Sequence, residues 1–204
     1  MNNLIVGTPR SGTYNLYNSI VANPNQKGLS EPFFNNGIFN SQGHITFNKF
    51  KSLISKTNFC VKTISFQFPS DIDSSKYIEY YDELFSFFDN VIILDRKDTK
   101  DHFKSYCNLV TKVKQVGTKH VNDFYTFTDD MITLDEIDSF VRSKIILHRV
   151  AQEFNKEVFY YEDLYLNNTQ DTYKRMNLNY TKASAKFLDS NQKYRRDSSK
   201  KTLI

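Results

Sequence analysis

The sequence predicts a three-layer α/β domain in which helices flank a central parallel sheet. Strand-like and helix-like patterns alternate along nearly the whole chain, which is the order that builds parallel strands through helical crossovers. The run VIILDR (91–96) is the most apolar in the chain, as expected of a strand buried on both faces. We expect a single domain over residues 1–204, since that length suits one hydrophobic core.

The composition argues against several classes of protein. The formal net charge is +4 and the basic residues are dispersed, which favours binding of a small polyanion over nucleic acid. Eighteen Phe and thirteen Tyr, with no Trp, predict an aromatic core. The two cysteines, Cys60 and Cys107, fall within regular elements, so we expect buried thiols instead of a disulfide framework. The sequence has no apolar run of the length of a membrane span, and we predict none.

The stretch LIVGTPRSGTYNLYNSI (4–20) predicts a strand, a phosphate-binding loop and a helix. Backbone N–H groups in a Gly-rich turn at the positive end of a helix form an anion site. Gly7 and Gly12 have the spacing of a Walker loop, but Thr13 and Tyr14 stand where a nucleotide kinase has Lys and Ser/Thr. An ordinary strand-to-helix turn is the structural alternative.

The cation of this loop lies inside it, as Arg10, whose guanidinium suits a phosphate or sulfate that is held without a metal. The string PRSGT resembles the loop of the sulfotransferase family, which grips the 5′-phosphosulfate of 3′-phosphoadenosine 5′-phosphosulfate (PAPS). The resemblance implies a small PAPS-dependent member on a P-loop-like fold, with no bound metal. The cofactor-binding residues that it implies in the loop are Gly7, Pro9, Arg10, Ser11, Gly12, Thr13 and Tyr14.

Two further segments resemble catalytic parts of the family. GLSEPFF (28–34) places Glu31 where several branches, the bacterial trehalose and tyrosyl-protein enzymes among them, have the general base for the acceptor. NFCVKTISF (58–66) resembles a strand whose Lys contacts the transferring sulfuryl group, and Lys62 matches that Lys. Cytosolic members continue as Lys-Thr-His, whereas Ile64 stands at the His position here, which favours Glu31 as the base. The structural alternatives are an exposed loop Glu and a snorkelling strand-end Lys.

Amphipathic patterns predict helices over about 46–56 and 76–88, and a longer one from Thr133. Thr133 and Glu136 form a predicted capping box at the start of this last helix. His148 lies on the same helix, and we expect it to face solvent and to have no catalytic role.

The resemblance also implies a site for the 3′-phosphate of the cofactor. Arg96, after the VIILDR strand, and Ser105, on the next helix, resemble the pair that holds this phosphate in the family. Their separation is one residue longer than usual, so either the turn is longer or Lys97 replaces the Arg. Arg96 is favoured, because a guanidinium binds phosphate bidentately and an ammonium does not.

The last segments supply two more implied cofactor contacts. Tyr-Glu-Asp-Leu follows a late strand in KEVFYYEDL (156–164), and the family places such a Tyr near the adenine, here Tyr161. The two acids, as a structural alternative, cap the next helix or pair with basic groups. The basic tail at about 191–204 is either a solvated, flexible end or a loop that closes Arg195 and Arg196 over the 3′-phosphate.

With these residues in the family's roles, the resemblance implies a metal-independent, in-line transfer of a sulfuryl group from PAPS to a hydroxyl or amine, with 3′-phosphoadenosine 5′-phosphate as the product. Arg10 and Lys62 would stabilise charge on the leaving phosphate, and Glu31 would take the acceptor's proton. The other interpretations are a P-loop kinase of nucleotides or small molecules and a nucleotide-binding module without catalysis.

The partner that we expect is a small-molecule or glycan acceptor. Its identity depends on loops such as 35–45 and 115–130, whose residues follow no readable pattern, and the oligomeric state is equally unreadable. Golgi members of the family carry a membrane anchor that has no counterpart in this sequence, so the resemblance implies a soluble, cytoplasmic protein from a bacterial or viral source.

Overall fold

The computed structural model describes residues 1–33, 45–54, 58–116 and 132–188. Five strands form one parallel sheet in the order β2-β3-β1-β4-β5. The strands are β1 (Asn3–Gly7), β2 (Lys27–Ser30), β3 (Phe59–Ile64), β4 (Asn90–Asp95) and β5 (Val158–Tyr160). Helices cover both faces of this sheet, which confirms the predicted α/β fold class with a central parallel sheet.

The helices agree with the predicted ones to within a few residues. They are α1 (Thr13–Val21), α2 (Phe47–Ile54), α3 (Tyr77–Ser86), α4 (Thr99–Val116), α5 (Leu134–Glu153) and α6 (Thr169–Arg175). A π-helical turn over Asp163–Asn167 precedes α6, and a further helix covers 182–188. The capping box is confirmed, because Thr133 Oγ1 accepts from the Glu136 N–H while a Glu136 carboxylate oxygen accepts from the Thr133 N–H.

The sheet separates two hydrophobic cores. Leu4 and Val6 of β1 point to the core under α2, α3 and α5, whereas Ile5 points to the core under α1, α6 and the 182–188 helix. The chain runs from β1 to β2 in one direction along the sheet, and from β2 through β5 it runs in the other. Right-handed crossovers in opposite directions put their helices on opposite faces, which explains why α1 lies apart from α2, α3 and α5.

The same reversal creates a crevice at the carboxyl edge of the sheet. The connection after β1 leads toward the β2 edge and the connection after β4 leads toward the β5 edge, although β1 and β4 are neighbours in the sheet. Ligands of open α/β sheets bind at the carboxyl edge, between two neighbouring strands whose following connections run in opposite directions. The predicted phosphate loop follows β1 and Arg96 follows β4, so both lie at this point.

Aromatic side chains fill the core below α2 and α3, as predicted. Phe33 is 2% exposed, and its ring centroid lies 4.9 Å from that of Phe50. Phe47 and Tyr81 both contact the ring of Tyr80, at centroid distances of 5.2 and 5.1 Å. Phe33 therefore anchors the short segment after β2 to the core.

Both predicted thiols, Cys60 and Cys107, are buried. In the described ranges, no helix is both long enough and apolar enough to cross a lipid bilayer.

Candidate functional site

The loop between β1 and α1 is held in a tight turn by hydrogen bonds to the carbonyl of Thr8. The carbonyl of Thr8 accepts from the Ser11 N–H at 3.2 Å and from Ser11 Oγ at 2.7 Å. Gly12 ends the loop with φ of 89°, in the left-handed region. A β-carbon on Gly12 would lie 2.7 Å from the rings of both Tyr161 and Tyr165, so the chain passes too close to them for any other residue.

The base of the loop is equally tight. A β-carbon on Gly7 would collide with the Thr13 methyl group and lie 2.9 Å from the Leu94 carbonyl oxygen. Gly12 has no side chain to cap α1. The first-turn N–H groups have no acceptors within the helix and lie at its positive end. A tight turn into a helix N-terminus is a kind of backbone that can bind an anion.

Arg10 is held in an unusual conformation within this loop. Its φ is 67°, and for a residue other than Gly such a conformation costs about 1–2 kcal/mol. Its Nε donates to Ser105 Oγ of α4 at 3.2 Å. Although the residue is exposed, desolvation of the guanidinium, and next the charge of Arg96, lower the pKa of Arg10. Two guanidinium groups therefore share this part of the crevice, where an anion would relieve their repulsion.

Arg96 is 5% exposed and is fixed by residues of the segment after β5. Its guanidinium carbon lies 4.7 Å from the centroid of the Tyr161 ring, and its Nε lies 3.8 Å from a Glu162 oxygen. Tyr161 is itself 8% exposed and packs against Tyr165 at a centroid distance of 4.7 Å. The ring of Tyr161 is thus engaged in packing with Tyr165 and in a cation–π contact with Arg96.

The two acids of the YEDL segment pair with basic groups and backbone donors, as their structural alternative predicts. Glu162 accepts from the Lys97 N–H at 2.9 Å. Lys97 Nζ lies 2.9 Å from Asp163, and the Lys97 side chain is 52% exposed. Of the two candidates for the 3′-phosphate, Arg96 and not Lys97 is among the groups that shift the pKa of Arg10.

Glu31 and Lys62 form a second group at the ends of β2 and β3. The Lys62 ammonium makes an ion pair with Glu31, whose other oxygen accepts from Gln67 Nε2 at 3.1 Å. The side chains of Lys62 and Glu31 are only 4% and 17% exposed. Neither alternative from the sequence fits, because Lys62 does not snorkel and Glu31 is not an exposed loop residue. Lys62 Nζ lies 5.6 Å from the ring centroid of Tyr14, which places it beside the first turn of α1.

A buried polar network behind the loop was not predicted. Asp95 is 1% exposed, and one of its oxygens accepts from Thr8 Oγ1 at 2.7 Å. Lys144 Nζ lies 3.0 and 2.9 Å from its two oxygens, and His148 Nε2 lies 2.9 Å from one of them. Burial by itself would raise the pKa of Asp95, but these hydrogen bonds and the Lys144 charge hold it well below its usual range. His148 is exposed, as expected, with 45% of its side chain accessible, but its Nε2 also contacts this buried carboxylate, which was not expected.

His102 completes this network under the loop. It is fully buried, with Nε2 2.6 Å from the Pro9 carbonyl oxygen and 3.4 Å from Thr8 Oγ1. Its Nδ1 lies 3.4 Å from Lys144 Nζ. The only sequence signal for the network was a carboxylate, Asp95, at the end of the most apolar strand.

The predicted site residues thus lie in two groups on the same edge of the sheet. One group contains the loop, Arg10, Arg96 and Ser105, and the other contains Glu31 and Lys62. Arg195, Arg196 and the tail lie outside the described residues, as do 35–44 and 117–130 of the two predicted acceptor loops. Among the residues that the structure describes, there is no cluster of three or more His, Cys, Asp or Glu side chains placed to hold a metal ion.

Comparisons of this chain with protein-family models, with curated proteins and with solved structures found no match.

Proposed function

We propose that this protein is a PAPS-dependent sulfotransferase that acts on a hydroxyl or amine of a small-molecule or glycan acceptor. The observation that carries the proposal is the meeting of the glycine-bounded loop, Arg10, Ser105 and Arg96 at the edge of the sheet where the connections after β1 and β4 run in opposite directions. This arrangement offers N–H donors and two guanidinium groups to a ligand with more than one anionic group.

The residues present fit the two anionic ends of PAPS. The loop from Gly7 to Tyr14 would hold the 5′-phosphosulfate through N–H groups of the α1 terminus. Arg96 and Ser105 would hold the 3′-phosphate, with Arg10 between the two groups because it contacts Ser105. When bound, PAPS supplies a sulfuryl group that is already activated by a phosphate leaving group.

Lys62 and Glu31 supply the catalytic groups of the proposal. The Lys62 ammonium lies beside the first turn of α1 and would stabilise negative charge that develops there. Glu31 would accept the acceptor's proton on a carboxylate oxygen, a contribution of about 10²–10⁴ in rate for a well-placed base. Gln67 holds the carboxylate in orientation through its 3.1 Å hydrogen bond. We expect transfer to be metal-independent, because guanidinium, ammonium and N–H groups provide the positive charge.

The kinase alternative finds less support. A P-loop kinase holds Mg²⁺ with a loop hydroxyl and a carboxylate at the end of a neighbouring strand. Asp95 ends the neighbouring strand here, but its oxygens are engaged by Thr8, Lys144 and His148. The loop also has Thr13 in place of the kinase Lys.

The test is calorimetric binding of 3′-phosphoadenosine 5′-phosphate, ADP and ATP, each with and without Mg²⁺. We expect metal-independent binding of the 3′-phosphorylated nucleotide, weakened at least about tenfold in Arg10→Ala, since a charged hydrogen bond contributes about 1.5–3 kcal/mol. Arg175→Ala is the matched control, because Arg175 is an exposed Arg paired with Glu157, the residue before β5. A preference for ATP with Mg²⁺ would favour a kinase. Binding of the 3′-phosphorylated nucleotide without turnover of PAPS on any acceptor tried would favour an inactive module.

A further inference from the structure

We propose that His102 is a positioning residue of the anion site, which holds the Pro9 carbonyl inward and thereby aims the Arg10 N–H at the ligand. The identity of that ligand rests on the proposed function, whereas the orientation of the loop does not. His102 lies on α4 behind the loop, so it would act through the backbone and not by contact with the ligand.

The contacts of His102 determine which ring nitrogen carries the proton. Nδ1 lies 3.4 Å from the Lys144 ammonium, which can only donate. An Asp95 oxygen lies 3.7 Å from the same nitrogen, so the Lys144 contact alone does not assign the proton. Nε2 lies 2.6 Å from the Pro9 carbonyl oxygen, which can only accept. The Pro9 contact therefore requires a proton on Nε2, and in the neutral ring Nδ1 carries none.

The electrostatic surroundings keep this imidazole neutral. Burial is the main cause that lowers the pKa of His102, to about 4, and the charges of Lys144 and Arg96 act in the same direction. The Pro9 hydrogen bond and Asp95 oppose this shift without cancelling it. The ring edge also packs on Phe140, at a centroid distance of 4.9 Å. His102 is therefore a fixed neutral donor at neutral pH.

A hydrogen bond to the Pro9 carbonyl fixes the direction of the Arg10 N–H, because both groups belong to the same peptide plane. The described residues contain no cis peptide bond, so the carbonyl of Pro9 and the N–H of Arg10 point in opposite directions. Because His102 lies behind the loop, the bond directs the Arg10 N–H to the open side of the loop. Pro9 has no N–H of its own, so the Arg10 N–H is the first donor after the prolyl ring. The residue that follows this peptide, Arg10, lies in the left-handed region, with φ of 67°.

Tyr165 provides a matched comparison on the same loop. Its hydroxyl donates to the Gly12 carbonyl at 2.7 Å, a bond of nearly the same length. That carbonyl also accepts from the Leu16 N–H at 3.2 Å, within α1. Loss of the Tyr165 hydroxyl should therefore leave the following N–H in place, whereas loss of His102 should release the Pro9–Arg10 peptide.

The first experiment uses the full-length protein without any ligand. Long-range ¹⁵N NMR of wild type reads the His102 tautomer, and the amide spectra of His102→Leu, His102→Gln and Tyr165→Phe report the Arg10 N–H. We expect the Nε2–H tautomer, a shifted Arg10 amide in His102→Leu, and a near-native one in His102→Gln, whose side-chain amide keeps a donor. Tyr165→Phe should leave the Arg10 amide unchanged. A proton on Nδ1, or an Arg10 amide resonance that does not shift in His102→Leu, would overturn the inference.

The second experiment measures the affinity of the same proteins for 3′-phosphoadenosine 5′-phosphate by calorimetry. We expect His102→Leu to weaken binding about tenfold, the equivalent of one hydrogen bond, with His102→Gln and Tyr165→Phe close to wild type. Native affinity in a folded His102→Leu would refute the positioning role and leave the proposed function standing. If wild type binds no such nucleotide, the proposed function fails, and the NMR result alone decides the role of His102.

Discussion

At the level of single residues, Glu31 and Lys62 are unequal members of their ion pair. Glu31→Gln would leave the nearly buried Lys62 ammonium without its carboxylate, and we expect it to lower the free energy of unfolding by about 3 kcal/mol. Lys62→Met should cost less, because Glu31 is 17% exposed and keeps its hydrogen bond from Gln67. Urea unfolding of both variants measures the difference.

The control for this pair is an exposed one, Lys51 with Glu83, whose side chains are 32% and 50% exposed. Glu83→Gln should change stability by less than about 1 kcal/mol. Equal costs for Glu31→Gln and Glu83→Gln would contradict the view that burial makes the Glu31 pair costly to break. Under the proposed function, Glu31→Gln should also lose turnover while it keeps nucleotide affinity.

His102 predicts a pH dependence of stability that can be isolated from other groups. Its pKa is about 4 in the folded protein, compared with 6.5 when the residue is unperturbed. Below pH 6.5 the unfolded chain therefore binds a proton that the folded protein refuses, and stability falls as the pH drops toward 4. The loss amounts to about 3 kcal/mol across this range. Chemical unfolding of wild type and His102→Gln from pH 7 to 4 should give a shallower slope for the variant, and parallel slopes would refute the prediction.

Residues of the site differ in how far the sequence could predict them. Arg10, Ser11 and the two glycines lie in one short string, and the spacing of that string predicts a phosphate-binding loop. Glu31 and Lys62 were each predicted from the few residues on either side of them. Asp95, His102 and Lys144 come from β4, α4 and α5 and meet only in the folded structure. Each of the three elements contributes only one of these polar residues, and a single residue produces no repeating pattern in the sequence. The network could therefore not be predicted.

At the level of elements, the turn from β1 to α1 requires a glycine at position 12. Gly12→Ala would combine a strained φ with a β-carbon 2.7 Å from two buried tyrosine rings. We expect a loss of roughly 1–3 kcal/mol in stability, together with weaker nucleotide binding. Thermal unfolding and calorimetry measure the two effects.

Gly28→Ala is the matched control for this turn. Its β-carbon would meet the hydroxyl end of the half-buried Tyr17 side chain and a methyl group of Val21, but Gly28 lies in an exposed strand and has no positive φ. The variant should therefore cost less than Gly12→Ala and leave nucleotide affinity unchanged. A larger effect at Gly28 than at Gly12 would contradict the assignment of the turn.

Elements with a strong burial pattern were the ones that the sequence predicted well. β4 and α3 differ from their predicted ranges by one or two residues, because apolar side chains mark nearly every buried position. β5 is shorter than the predicted strand, since helical backbone begins at Tyr161 although Val158–Tyr161 has a strand-like composition. The aromatic contacts of Tyr161 with Arg96 and Tyr165 override its local propensity there.

At the level of the whole molecule, the order of strands explains why distant segments share one edge. The sequence predicts a parallel sheet, but it does not specify that β1 lies between β3 and β4. That order places the loop after β1 beside both Lys62 and Arg96. The convergence of the site is therefore a property of the topology, whereas the chemistry of each group is a property of its own segment.

The shared sheet predicts that the molecule unfolds as one unit. Leu16 of α1 and Leu84 of α3 are fully buried on opposite faces, and both cores pack on the same strands. Leu16→Ala and Leu84→Ala should each cost about 2–5 kcal/mol. Because neither face can keep its core without the sheet, each variant should shift a single calorimetric transition, with equal calorimetric and van't Hoff enthalpies. A second transition in either variant, with part of the protein melting at the wild-type temperature, would show that the two faces form separate units and would contradict the prediction of a single domain.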